Sequence, residues 1–105
     1  MSDIKNVTIY KFELNGASIS SSKLVEMPVG AQVLTFNFQQ GAPFIWCSVD
    51  ADPNAPLETR HFTIVGTGWL LEEEPSKYIG TAYEGRCVWH CFELLRGSLN
   101  RRVPA

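Results

Sequence analysis

The sequence predicts an all-β protein, an antiparallel sandwich or small barrel of about seven short strands. Three observations predict it. Runs rich in Val, Ile, Thr, Phe, Tyr and Trp alternate at the two-residue period of a pleated strand. Turn-forming Gly, Pro, Asn, Asp and Ser clusters separate these runs at short intervals. No internal repeat and no long helical pattern interrupts them. The 105 residues are read as a single β domain over 1–105, large enough to bury a core without staples.

The central stretch is Arg60-His61-Phe62-Thr63-Ile64-Val65-Gly66-Thr67-Gly68-Trp69. Alternation places Arg60, Phe62 and Ile64 on one face and His61, Thr63 and Val65 on the other. Gly66 and Gly68 then free the backbone, and two readings stay open: a bulge or tight corner between strands, or a place where a ligand or another backbone comes close. A dinucleotide fingerprint is excluded, because that needs spaced glycines between a strand and a helix.

Before this stretch, residues 6 to 14 form a strand with Tyr10, Phe12 and Leu14 on one face, closed by an Asn15-Gly16 turn. The serine run over 18 to 22 is a polar loop, and Lys23 to Met27 is a short strand stopped by Pro28 and Gly30. Ala31 to Gln39 is the clearest amphipathic strand: Leu34, Phe36 and Phe38 face one way, Thr35, Asn37 and Gln39 the other. After a hairpin-like turn at Gln40-Gly41-Ala42-Pro43, Phe44 to Val49 is apolar on both faces, Ile45, Cys47 and Val49 against Phe44 and Trp46. Such a strand is central in the fold or covered by a partner chain. Asp50 to Pro56 is a loop; its Asp50 and Asp52 carboxylates lack the spacing and closing Glu of a calcium loop and read as solvated surface.

After Trp69, residues 70 to 75 allow a short helical turn or a loop, with Glu72, Glu73 and Glu74 as solvated surface. Lys77 to Tyr83 is a strand, Tyr83-Glu84-Gly85-Arg86 a hairpin tip, and Arg86 to Leu95 the last strand. A polar tail follows over 97–105, with Arg96, Arg101 and Arg102 in or beside it. The expected core is Ile9, Phe12, Leu34, Phe36, Phe38, Ile45, Trp46, Val49, Phe62, Ile64, Val88 and Phe92.

Composition narrows the function classes. A net charge of -2 gives no bulk electrostatic case for DNA, RNA or an anionic membrane. No apolar run approaches the roughly 20 residues of a membrane span, and the start of the chain lacks a signal-peptide pattern, so an intracellular protein is expected. Three cysteines, Cys47, Cys87 and Cys91, are then expected as reduced, buried structural thiols. A metal site on Cys87, Cys91, His90 and His61 is disfavoured. On a regular strand Cys87 and Cys91 stand roughly 13 Å apart and His90 faces the other way, whereas zinc wants both sulfurs at about 2.3 Å. No cofactor is called for. Cys87 or Cys91 with His61 would be a nucleophile and base only if the fold joined them, and no nucleophile elbow is present. The protein is read as a non-enzyme.

A set of short motifs runs along most of the chain: Tyr10-Lys11-Phe12, Met27-Pro28-Val29-Gly30-Ala31, Trp46 with Val49-Asp50, Arg60 and Phe62, Gly66-Thr67-Gly68, Tyr78-Ile79-Gly80-Thr81, and Val88-Trp89-His90-Cys91-Phe92-Glu93. In this order they resemble small uncharacterised proteins of bacteriophages and prophages. The resemblance extends to Glu93; the serine-rich segment and the arginine-containing tail depart from it. It implies a phage accessory role in the host cytoplasm and supplies no catalytic residues.

Ligand binding is the better motivated chemistry. Aromatic faces with an arginine fork suit a nucleobase and a phosphate. The candidate ligand-binding residues are Arg60, His61, Gly66, Thr67, Gly68, Trp69 and Tyr78, with Arg60 expected near the glycine corner; Trp46 and Trp89 are read as core, and Trp69 as the exposed tryptophan. The expectation is a non-enzymatic binder that counters a bacterial defence, in one form an oligomeric sponge for a nucleotide-type immune signal. The alternatives are a protein–protein inhibitor of a host defence enzyme, acting through the two-faced strand or an open edge, and a small virion or assembly component. A homo-oligomer, most simply a C2 dimer, is expected.

Overall fold

The computed structural model describes residues 6–17, 22–71 and 75–94. Seven strands follow one another: β1 Val7–Glu13, β2 Lys23–Pro28, β3 Gln32–Gln39, β4 Ala42–Asp50, β5 Leu57–Gly66, β6 Pro75–Glu84 and β7 Cys87–Leu94. They form two sheets, β1-β4-β3 and β2-β5-β7-β6, and every pairing is antiparallel. The result is a sandwich, not a closed barrel. The serine run over 18–21, Glu72 to Glu74 and the tail from Leu95, including 97–105, lie outside the described residues.

Turn chemistry closes the two tight hairpins. Gln39 pairs with Ala42 across Gln40 (φ 54°) and Gly41 (φ 82°), the two left-handed positions of a type I′ turn. Glu84 pairs with Cys87 across Gly85 (φ 64°) and Arg86, which puts glycine at the first loop position as a type II′ turn requires.

Between the sheets lies one core: Leu14, Val25, Met27, Ala31, Phe36, Ile45, Cys47, Val49, Phe62, Ile64, Ala82 and Cys91. The two-faced strand β4 is central in its sheet, with Ile45, Cys47 and Val49 inward and Phe44 and Trp46 outward. Where β3 meets β6, Phe36 Cβ sits 3.6 Å from the point where a Cβ on Gly80 would stand, so the missing side chain of Gly80 lets Phe36 close the gap. Phe12 and Phe38 pack against the core from its margins.

Five of the residues expected in the core lie elsewhere. Ile9 is 51% exposed, because it pairs with Ser48 on the outer side of its sheet. Leu34 is 54% exposed: the register shifts between Val33 and Thr35, so Leu34 is the extra residue of a bulge and Val33 takes the inward place opposite Cys47. Trp46 is half-buried on the outer face of the three-stranded sheet, beside Lys11 and Thr35. Val88 and Phe92 are half-buried on the outer face of the four-stranded sheet. In their stead Leu14, Val25, Met27, Ala31, Cys47, Ala82 and Cys91 fill the centre.

Candidate functional site

The Gly66-Thr67-Gly68 segment is a tight turn. Trp69 N donates to Gly66 O at 3.1 Å, and Gly68, at the third position with φ 88°, carries the left-handed conformation of a type II turn. Thr67 N donates to Val88 O at 3.2 Å, which ties the turn to β7. The chain folds back so that the Trp69 ring covers Gly66; a Cβ there would lie 2.9 Å from Trp69 Cε2. Trp69 also meets Trp89 edge-to-face, with centroids 5.4 Å apart and planes at 88°.

These residues border an open cavity of about 310 Å³, lined by Gly66, Thr67, Trp69, Arg86, Cys87, Val88 and Trp89. Arg86 makes no ion pair among the described residues. The indole Nε1 of Trp89 is buried and finds no hydrogen-bond partner there.

On the outer side of β7, a chain of polar contacts supports the turn. Thr67 Oγ1 lies 2.7 Å from His90 Nε2, and Thr81 Oγ1 lies 2.9 Å from His90 Nδ1. The Tyr78 hydroxyl reaches Thr81 Oγ1 at 2.5 Å, and its ring packs edge-on to Phe92 at 5.6 Å. A threonine hydroxyl can donate or accept, so both imidazole nitrogens are served whichever carries the proton.

Arg60 belongs to a different place. It sits six residues from Gly66 along β5, about 20 Å at strand rise. Its Nε and Nη2 donate to Glu93 at 2.7 and 2.9 Å, and Nη1 donates to Ala31 O at 2.7 Å. Glu58 adds a looser ion contact at 3.6 Å. The hydrogen bonds to Glu93 raise the guanidinium pKa above its ordinary value, against the opposing effect of burial. The fork that sequence reasoning offered to a phosphate is thus engaged by a carboxylate inside the fold. His61 lies on the outer face of its sheet, opposite Leu24 and Leu94. Of the candidate residues, Gly66, Thr67, Gly68 and Trp69 come together, Tyr78 joins them through Thr81 and His90, and Arg60 and His61 stand apart.

Sequence reasoning does not single out Arg86, Cys87, Val88, Thr81 and His90 as ligand residues. Arg86 arrives through the hairpin: pairing Gly66 with Trp89 puts the β6–β7 tip beside the glycine turn. The other chemistries have little geometry behind them. Cys91 is buried on the inner side of β7 whereas His61 faces outward, so the two do not form a nucleophile and base. Asp50 and Asp52 each accept a backbone N–H two residues on, at 3.0 and 2.9 Å, and so shape their loop. Of the cysteines, Cys47 and Cys91 are buried and Cys87, expected to be buried, is exposed on the cavity rim. Among the described residues no three His, Cys, Asp or Glu side chains gather as a metal site, and no helix is long and apolar enough to cross a membrane.

Residues 5–100 match the family described as a domain of unknown function, DUF7352. The chain belongs to this family. No curated protein and no solved structure matches the DUF7352 chain.

Proposed function

We propose that this DUF7352 protein is a non-enzymatic binder whose ligand site is the cavity at the Gly66–Trp69 turn. The observation that carries the reading is the meeting of two tryptophan rings, Trp69 and Trp89, with the Arg86 side chain around one cavity. Aromatic faces hold planar rings at little conformational cost, and an arginine beside them favours an anionic substituent. A nucleotide-type molecule combines both. With the phage resemblance of its motifs, the protein is read as a sponge that sequesters such a signal in the host cytoplasm and so blunts a bacterial defence. A homo-oligomer formed along the open edges β1 or β2 suits that role.

The test is release. Purified protein is incubated with extract from cells whose nucleotide-signalling defences are active, washed, heat-denatured, and the released molecules are identified by mass spectrometry. An unaltered nucleotide from the wild type, absent from an Arg86→Ala protein, is the expected result. A chemically changed product points to an enzyme, and an empty eluate removes the sponge.

A second reading, a protein–protein inhibitor, draws on the outer face of the three-stranded sheet. There Val7 and Ile9 are exposed, Phe44 and Trp46 rings lie 5.8 Å apart, and Lys11 Nζ stands 4.6 Å over Phe44. Retention of host protein by the wild type, lost in Ile9→Asp but not in Trp69→Ala, would favour it.

A further inference from the structure

The Trp69 ring occupies a place that has the features of a ligand cradle. Its floor is Gly66, which has no side chain, and its wall is Trp89. Trp69 is nevertheless 52% exposed, and its neighbour Leu70 more so. Among the described residues the ring rests on Gly66 and Trp89, on a short turn whose Gly68 has wide backbone freedom. In the neighbouring Trp89 ring the indole N–H is buried without a partner among the described residues. Leaving a buried donor unpaired destabilises the fold. Nothing among the described residues offsets that cost, and a ligand with an acceptor would.

We propose that Trp69 is a displaceable plug: a planar anionic ligand takes its place over Gly66, accepts a hydrogen bond from Trp89 Nε1, and sets its negative group against Arg86. This rests on the binder reading and names the ligand class and the contacts within that site. Three features agree on it. The space the plug vacates suits a flat ring. The donor asks for a ring or carbonyl acceptor. Arg86, on the rim and without an ion pair among the described residues, asks for an anion. A nucleoside monophosphate meets all three demands, whereas a nucleoside meets two.

The test follows the three indole N–H signals of Trp46, Trp69 and Trp89 by nitrogen-15 NMR. They are assigned with single Trp→Phe variants. The probes are the four common ribonucleoside 5′-monophosphates and the matching nucleosides. With at least one monophosphate, the Trp69 and Trp89 signals are expected to move while Trp46 stays still. The Trp89 signal should move downfield as its N–H gains a partner. Trp89→Phe keeps a ring but removes the donor, and should weaken binding about tenfold or more. Arg86→Gln should erase the preference for monophosphate over nucleoside. Binding that moves Trp69 but leaves Trp89 unchanged, or that treats nucleoside and monophosphate alike, overturns the plug-and-donor arrangement while the binder reading stands. If none of the eight probes moves Trp69 or Trp89, the nucleotide class assigned to this cavity is wrong. Gly66→Ala provides a check that does not need a ligand: its Cβ should eject the Trp69 ring, and the Trp69 and Trp89 signals should shift in the free protein.

Discussion

Arg60 and Glu93 face each other from neighbouring strands β5 and β7 and share two hydrogen bonds, at 2.7 and 2.9 Å. Their side chains are only 17% and 11% exposed, so the pair is largely withdrawn from water. The third guanidinium bond, to Ala31 O at 2.7 Å, carries the contact across to the segment that leads into β3. One arginine thus ties the two sheets together.

Breaking this pair from one side should be far costlier than removing it whole. Arg60→Ala leaves Glu93 charged and nearly buried, and about 3–5 kcal/mol of stability should be lost. Arg60→Met with Glu93→Leu removes both charges and keeps the volume, and should lose much less. Urea unfolding of Arg60→Met, of Glu93→Leu and of the double variant gives the coupling directly. A single variant as stable as the wild type would mean that the pair contributes little to the fold.

Gly66 and Trp69 give a second prediction. The Cβ of Gly66→Ala would meet Trp69 Cε2 at 2.9 Å, so one of them must move. No strained φ stands at Gly66, so the substitution acts through this contact alone. The half-exposed Trp69 is the part that gives way, at a cost of about 1 kcal/mol. Tryptophan emission should move to longer wavelength as the ring enters water, with an unfolding midpoint close to the wild type.

The bulge in β3 makes Val33 and Leu34 unequal in a way that composition would not suggest. Val33 packs against the core opposite Cys47, while Leu34 points to solvent. Leu34→Ser should change stability by no more than about 0.5 kcal/mol. Val33→Ser should cost about 1–3 kcal/mol, because it loses apolar contact and places a hydroxyl against the core. Thermal unfolding of both variants checks this; equal losses would mean an unbroken strand.

The same bulge explains part of what can be read from the chain alone. Strand number, order along the chain and most strand limits follow from local alternation and turn residues, which short-range sterics enforce. Strict alternation chooses Leu34 over Val33 because a bulge is set by pairing with β4, which no window of β3 contains. It places Ile9, Trp46 and Phe92 inside for a related reason: hydrophobicity alone does not say which face of a strand meets the other sheet. At the site, the glycine turn and Trp69 are legible because Gly-Thr-Gly is a local signal. Closeness in sequence assigns Arg60 to the corner, whereas an extended strand carries it about 20 Å away. Arg86 reaches the corner only through the β5–β7–β6 register, and such long-range pairing leaves no mark in a single sequence.

The buried thiols give the fold a pH limit. Burial pushes Cys47 up from 9.0 to about 11; the Arg60 charge works against this and the Glu93 charge adds to it. Burial, with Glu93, raises Cys91 as well. In the unfolded chain both thiols ionise near their ordinary value, while in the fold they stay protonated, so the folded state binds more protons above pH 9. Stability from this source is therefore fully present below about pH 9 and is lost as the pH rises through about 11. Each tenfold change in proton affinity is worth about 1.4 kcal/mol, so Cys47 alone accounts for about 2–3 kcal/mol. The unfolding midpoint should be insensitive to these thiols between pH 7 and 8.5 and fall steeply from pH 9 to 11. Cys47→Ala, though less stable at neutral pH for lack of the sulfur's contacts, should show a shallower alkaline fall. A thiol reagent at neutral pH should modify Cys87 quickly and the two buried thiols only on unfolding. An alkaline profile in Cys47→Ala as steep as that of the wild type would assign the loss to other groups.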